Sequence, residues 1–351
     1  MKKILPFGNP TITSWTWTAA TFSILDNYPK SLPWVYNNFI QLFCECHEKW
    51  VSLHYIPHVD VFSACPFFHS ALIPRSFLTD LNINLNSFIK TCINHDYYVY
   101  CNIDESYISR KERFLHELLI YGYDDSTQTY NIADFTLTPT QKYTQSTTSY
   151  DSINKGYVSI RSYEDDMTDG LGGIGGIYIF SVNPNYNYSF NIDLMKNYLH
   201  DFISCSDSGY PYRTYDLKQQ TALNNGLPSI SYGVDIYDTL ESYYKDVKQK
   251  KKIFVIQPLH VLYDHKHLML ERLLYLNKEL NFKIPTYLLE EYSGLFSEVE
   301  ILRNFGIKYW VSRKASALDT VILQLSIIKQ KDLELTTKLI NFLENDILPI
   351  N

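Results

Sequence analysis

No stretch of the 351-residue sequence has enough consecutive apolar residues to cross a bilayer. The N-terminus also lacks the basic start, apolar run and small-residue cleavage site of a secretory signal. Both absences argue against a membrane protein and against a secreted one. We therefore expect a cytoplasmic protein with no membrane partner.

Cysteines are few, and their spacing is irregular. A chain of this length does not need disulfides to be stable, and the spacing fits no disulfide framework. We therefore expect all of them to be reduced. The six cysteines lie at positions 44, 46, 65, 92, 101 and 205.

A zinc site is the one metal site that the sequence suggests. Thiolates and imidazoles are the preferred ligands of zinc, and five such residues lie close together. The spacing of Cys44 and Cys46 is not the usual one, however, and residues 51–55 are typical of a strand. The sequence therefore predicts no metal and no other cofactor. The five residues are Cys44, Cys46, His47, His54 and His58.

Basic residues are outnumbered, with 31 Lys and Arg against 38 Asp and Glu, which gives a formal net charge of -7. The acids are interspersed along the chain. The longest basic run, at residues 248–252, is typical of a solvated helix end. This balance argues against a nucleic-acid partner.

The pattern of apolar residues predicts an α+β fold with a C-terminal helical bundle. We expect one domain over residues 1–230 and a helical domain over 231–351. A polar, Thr-rich stretch at 136–150 is predicted to be a mobile loop. The predicted helices are 15–27, 85–95, 151–163, 191–204, 240–244, 259–281, 287–304 and 317–343, with a second amphipathic segment at 34–48. The predicted strands are 51–55, 97–103, 118–123, 129–133 and 177–180.

Breaks between the C-terminal helices are expected at Pro285, Gly306 and Ser312. Within this region, His265 and His267 are two residues apart and cannot share a helix face. We therefore expect them on the helix surface.

The most informative stretch is the hairpin predicted at residues 116–134. Residues 118–123 and 129–133 are apolar, aromatic or β-branched, which favours strands. The residues at 124–126 are Asp, Asp and Ser, which are typical of a turn.

This hairpin sets a histidine beside a carboxylate. With a turn centred near residue 126, paired positions have numbers that sum to about 252, so Asp134 lies opposite Leu118. Asp134 is then the diagonal neighbour of His116 on the same face. A carboxylate there fixes the tautomer of the imidazole and stabilises its protonated form, as in a triad of nucleophile, histidine and acid.

The order of these elements resembles that of the papain-like cysteine peptidases and their acyl-transferring relatives. Residues 92–134 are similar to the papain-like family that includes the butirosin-biosynthesis acyltransferase and the bacteriocin-leader peptidases. A narrower resemblance is to transferases of the closthioamide type. The central match is His116-Glu117-Leu118-Leu119-Ile120-Tyr121-Gly122-Tyr123-Asp124, and shorter matches lie at 33–42, 232–237 and 264–272.

The resemblance implies a papain-like α+β domain with a catalytic cysteine near residue 20, at the start of the first helix. Backbone amides and the helix dipole lower the pKa of a thiol there. This chain, however, has no cysteine before Cys44. Thr18 is predicted as the N-cap, which leaves two alanines in the first turn. We therefore predict the nucleophile position at Ala19, with Ala20 as second choice.

Three explanations of the alanine stay open. Cysteine has been replaced by alanine in this chain, or the protein is a natural pseudoenzyme that keeps a binding cleft. In the third, Ser14, Thr16 or Thr18 is a weaker nucleophile, because a hydroxyl depends heavily on its base.

The resemblance also implies the reaction, which is acyl or peptidyl transfer in nonribosomal peptide biosynthesis. A cysteine would accept the acyl group from a carrier-protein thioester, and a small amine would attack the acyl-enzyme. His116 would be the base, oriented by Asp134. The alternatives are a cysteine peptidase, a catalytically inactive binding or scaffold protein of the same fold, and a protein whose helical bundle mediates assembly.

Overall fold

The computed structural model describes residues 1–57, 61–137, 142–160, 176–208 and 229–345. It confirms an α+β protein, with antiparallel sheets and long C-terminal helices that pack together. The described strands are β1 (Lys2–Ile4), β2 (Leu42–Cys46), β3 (Val51–Tyr55), β4 (Phe68–Pro74), β5 (Tyr98–Asp104), β6 (Leu115–Asp124), β7 (Thr129–Asp134), β8 (Thr144–Ser149), β9 (Gly176–Val182) and β10 (Ser229–Tyr232).

The α-helices have bounds close to many of those predicted. They are α1 (Thr16–Leu25), α2 (Leu32–Asn37), α3 (Val61–Ala64), α4 (Arg75–Asp80), α5 (Leu85–Asn94), α6 (Tyr150–Val158), α7 (Ile192–Ser204), α8 (Ile236–Lys248), α9 (Gln257–Lys278), α10 (Thr286–Ser312) and α11 (Ala315–Asn345). None of these helices is long and apolar enough to cross a membrane.

The chain divides into two compact units, and each is built from two separate stretches. One unit comprises Met1–Leu32 and Val59–Tyr188, and the other comprises Pro33–His58 and Ser189–Asn351. This division differs from the predicted boundary at residue 230, which placed the β2–β3 hairpin and α7 in the first domain. The difference arises because β2 pairs with β10, far away in the sequence.

The first unit has a seven-stranded antiparallel sheet in the order β4-β9-β5-β6-β7-β8, and β1 pairs with the end of β6. The helix α1 packs against β6 and α3, and α6 packs against β5. α5 buries Leu85, Ile89 and Ile93, whose spacing places them on one helix face. Asn84 caps this helix by accepting a hydrogen bond from the Ser87 N–H at 3.0 Å.

The second unit has a three-stranded sheet in the order β10-β2-β3, together with the helices α7 to α11. The α9 helix packs against β3 and α10. Its buried Arg272 donates hydrogen bonds to the carbonyl oxygens of Tyr36 and Asn38, each at 2.7 Å. Lys266 and Asp332 form a buried ion pair between α9 and α11.

Several sequence predictions are corrected by the structure. The 136–150 stretch contains β8, because threonine suits an edge strand and this strand bonds to β7. The predicted amphipathic segment at 34–48 contains β2. β4 is not among the predicted strands.

Two predictions in the C-terminal region were also wrong. α10 continues through Gly306, whose missing side chain lets Leu259 and Ile256 pack closely. His265 is buried rather than on the surface, and its Nε2 lies 2.8 Å from the carbonyl oxygen of Ile40.

A glycine substitution tests the second unit. Gly233 has φ +54°, and a Cβ there would overlap the carbonyl oxygen of Phe202. Gly233→Ala should therefore lower the free energy of unfolding by at least about 2 kcal/mol, measured by urea unfolding. In the control, Gly294→Ala, the new Cβ meets nothing within 4 Å. The gain in helix propensity should stabilise that variant by up to about 1 kcal/mol. Equal effects of the two variants would contradict this packing.

Candidate functional site

The β6–β7 hairpin has the predicted register at the end that carries the histidine. Leu119 pairs with Ala133 and Ile120 with Ile132, so each pair of numbers sums to 252. A bulge shifts the register between Ile120 and Gly122, towards the turn. Beyond Leu119 and Ala133, His116 and Asp134 therefore lie on the same face of the sheet.

His116 and Asp134 form a hydrogen-bonded pair, with 2.9 Å between the imidazole Nδ1 and the carboxylate Oδ1. The Asp134 side chain is fully buried, and that of His116 is 19% exposed. Two further donors hold the carboxylate, namely the Phe135 N–H and the Thr136 hydroxyl, each at 2.6 Å. This arrangement fixes Nδ1 as the donor to Asp134 and leaves Nε2 for proton transfer.

Two more buried carboxylates surround the imidazole. The Glu117 Oε2 lies 3.9 Å from the His116 Nε2. Glu105, in the 3₁₀ turn Glu105–Tyr107 after β5, is also fully buried. One of its oxygens accepts a hydrogen bond from the Ser109 hydroxyl at 2.9 Å, and the other has no hydrogen-bond partner among the described residues.

These carboxylates control the charge of the site. Burial alone would lower the His116 pKa, but the charge and hydrogen bond of Asp134, with Glu117 and Glu105, raise it to about 10. Burial, and next the charge of Asp134, raise the pKa of Glu105 to about 7. His116 is therefore protonated at neutral pH. Perturbed titration of several groups at one place is typical of a functional site.

The loop between β5 and β6, which carries Glu105, is held by Asp104. The Asp104 Oδ1 accepts hydrogen bonds from the Ser106 N–H at 3.0 Å and the Phe114 N–H at 3.3 Å. The Phe114 ring stacks on the His116 ring, with 5.5 Å between centroids. The loop therefore supplies one wall beside the imidazole.

The helix α1 begins at Thr16, with Trp15 as its N-cap and no side-chain cap. The prediction of Thr18 as N-cap was wrong, because its hydroxyl lies inside the helix and donates to the Trp15 carbonyl oxygen at 3.0 Å. Ala19 is therefore the fourth helical residue and Ala20 the fifth. Both are fully buried.

The structure thus brings His116 and Asp134 together and places α1 against β6, the strand that carries His116. The role of Ala19 or Ala20 as nucleophile position stays a prediction. Among the hydroxyl candidates, the Ser14 Oγ is buried and has no hydrogen-bond partner in the described part of the chain.

Two cysteines of the same unit are buried and lack an activated thiol. Burial raises the pKa of Cys65 to about 12 and that of Cys92 to about 11. As for metals, the residues that the structure describes hold no group of three or more His, Cys, Asp or Glu that could bind a metal ion. His58 lies outside the described residues.

Sequence reasoning missed Glu105 and the loop that carries it. The β5–β6 pairing, in which Ile103 lies opposite His116, places the residues after β5 beside the imidazole. The signal in the sequence is the acidic pair Asp104-Glu105 at the end of a buried strand.

No protein-family model matches the chain, and no curated protein matches it either.

Replacing Asp134 tests the electrostatics of the site. The folded pKa of His116 is raised above its ordinary value of about 6.5, so its contribution to stability is present below about pH 6.5 and lost as the pH rises to about 10. In Asp134→Asn, the largest of the contributions that raise this pKa is lost, so the His116 pKa should fall well below about 10. NMR titration of the His116 ring measures this change.

Urea unfolding measures the linked stability. Between pH 6 and pH 10, the free energy of unfolding should fall in both proteins. In the wild-type chain it should fall by on the order of 3 kcal/mol more than in His116→Gln. The control is Asp125→Asn on the hairpin turn, a carboxylate that binds Lys90 at 3.1 Å. It should leave the His116 pKa unchanged. An unaltered His116 pKa in Asp134→Asn would contradict the assigned pair.

Proposed function

We propose that this chain has a papain-like acyl-transfer site, which transfers an acyl or peptidyl group from a carrier-protein thioester to a small amine. The observation that carries the proposal is the 2.9 Å hydrogen bond between His116 Nδ1 and Asp134 Oδ1 on neighbouring strands. This is the base and its orienting acid in a triad of nucleophile, histidine and acid.

The charge state of His116 supports a thiolate–imidazolium mechanism. A protonated imidazole stabilises a nearby thiolate, which is the reactive form of cysteine. In that mechanism the thiolate attacks the thioester carbonyl, and the departing thiol takes the proton from His116. The amine then attacks the acyl-enzyme, loses its proton to the neutral imidazole and releases the enzyme thiolate.

The first turn of α1 comprises residues 16–19, so it contains both Thr16 and the predicted position Ala19. Amides at a helix start favour negative charge, which suits a thiolate or an oxyanion. We therefore propose that the nucleophile position lies in this turn. In the chain as it stands, the hydroxyls of this turn are those of Thr16 and Thr18, and the Thr18 hydroxyl donates to the Trp15 carbonyl oxygen.

A second candidate function is a catalytically inactive protein that binds a carrier-linked group. It is favoured by the absence of cysteine from α1 and by the complete burial of Ala19 and Ala20. In this case His116 and Asp134 keep the shape and charge of a binding cleft without turnover.

A cysteine scan tests where the nucleophile belongs. Thr16→Cys, Ala19→Cys and Ala20→Cys are each treated with iodoacetamide at pH 5, and alkylation is followed by peptide mass spectrometry. At the nucleophile position, protonated His116 should make alkylation at least about ten-fold faster than in the same variant with His116→Ala. The matched control is Thr286→Cys, which places a cysteine at the start of another helix, α10.

The variant that reacts is then incubated with an acyl-pantetheine thioester, followed by an amine. Intact mass should show an acyl adduct that the amine removes as an amide. His116→Ala should abolish both steps. Amide formation by the unaltered chain would assign the role to a hydroxyl, and thioester binding without turnover would favour the binding protein. The absence of His116-dependent alkylation at all three positions would exclude the proposed site.

A further inference from the structure

A basic segment of four residues, Arg110-Lys111-Glu112-Arg113, lies in the loop between β5 and β6. It lines a pocket of about 520 Å³ together with Phe114 and Thr136. Three of its four side chains are cationic, in a chain whose net charge is -7. Pockets of this volume are typical of small-molecule sites.

The backbone on both sides of the basic segment is held in place. The Glu105 carbonyl oxygen accepts hydrogen bonds from the N–H groups of Ile108, Ser109 and Arg110, at 2.9 to 3.0 Å. After the segment, the Phe114 N–H bonds to Asp104. Because both ends are fixed, the cationic side chains extend from backbone positions that are already ordered. A ligand therefore does not have to order the loop when it binds.

Arg110 has an unusual environment. Its guanidinium carbon lies 4.9 Å from the centroid of the Phe114 ring. Its Nε is buried and has no hydrogen-bond partner within the described ranges. A buried donor without an acceptor is rare, and a ligand that accepts a hydrogen bond from the Arg110 Nε–H would account for this one.

The pocket adjoins the His116–Asp134 pair through two of its lining residues. Phe114 stacks on the His116 ring, and the Thr136 hydroxyl donates to the Asp134 Oδ2 at 2.6 Å. A group bound in the pocket is therefore separated from the His116–Asp134 pair by one side chain, that of Phe114 or Thr136.

We propose that this pocket binds a carboxylate or phosphate of the acyl-transfer substrate, with the basic segment as its receptor. The inference rests on the proposed function, because it names part of the substrate of that same site. Guanidinium groups bind both anions through paired, charge-assisted hydrogen bonds. The substrate thus carries a negative group close to its reacting amine or thioester.

Binding of simple anions tests the pocket without any reaction. Acetate, its neutral isostere acetamide, and inorganic phosphate are titrated into the wild-type chain, and the Arg Nε–H signals are followed by NMR. Acetate and phosphate should shift the Arg110 signal, whereas acetamide should not. In Lys111→Gln, the dissociation constants of both anions should rise about five- to ten-fold.

Lys111 is exposed, so its replacement does not disturb packing, and Arg110→Gln is a second variant at a half-buried position. The matched control is Lys30→Gln, an exposed lysine of the 3₁₀ turn Pro29–Ser31 in the same unit. It should leave the dissociation constants unchanged. Equal responses to acetate and acetamide, or equal weakening by Lys30→Gln and Lys111→Gln, would overturn the inference.

Two substrate series then identify the source of the anion. In the reactive cysteine variant, glycine is compared with glycinamide as acceptor, and acyl-phosphopantetheine with acyl-pantetheine as donor. At least about a ten-fold preference for the anionic member is expected in one series, and Lys111→Gln should reduce it. No preference in either series would overturn the inference, even where acyl transfer itself proceeds. Anion binding without acyl transfer would instead reject the proposed function alone.

Discussion

The site depends on one contact, the buried hydrogen bond between His116 and Asp134 across β6 and β7. That contact depends in turn on the register of the two strands. A slip of one residue would turn Asp134 to the opposite face of the sheet. The bulge after Ile120 absorbs an extra residue on the turn side, so the pairing at Leu119 and Ala133 is unaffected. The strand end that carries the pair is therefore regular.

Buried negative charge is the second constraint. One imidazole lies among three buried carboxylates, those of Glu105, Glu117 and Asp134. Keeping all three carboxylates ionised costs free energy, because they are buried and only one cation is beside them. Two groups of the site therefore hold their protons to a higher pH. The pKa of His116 is raised to about 10, and that of Glu105 to about 7. The neighbouring basic segment adds positive charge on the solvent side. We propose that this positive charge, and not the buried carboxylates, attracts an anionic group to the site.

Local sequence patterns predicted the structure correctly where the contacts that determine it lie close together in the sequence. The alternation in residues 116–134 and the Asp-rich turn predicted the register, and apolar periodicity predicted α5 and α7. Contacts between distant residues were not predictable in this way. Glu105 reaches His116 only through the β5–β6 pairing, α1 begins at Thr16 without a side-chain cap, and Gly306 continues a helix because of what packs against it. β8 was missed because its polar residues resemble a loop.

The pairing of β2 with β10 has a consequence for synthesis on the ribosome. The hairpin of β2 and β3 emerges before its partners, because its third strand, β10, and the helix α9 that packs on β3 come much later in the chain. Until then the hairpin has two open edges and an uncovered apolar side, which are the features that promote wrong association. The unit that carries His116, by contrast, has all of its own strands by residue 188. The two units therefore complete their folding at different times, and the early hairpin is the segment that a chaperone would have to protect.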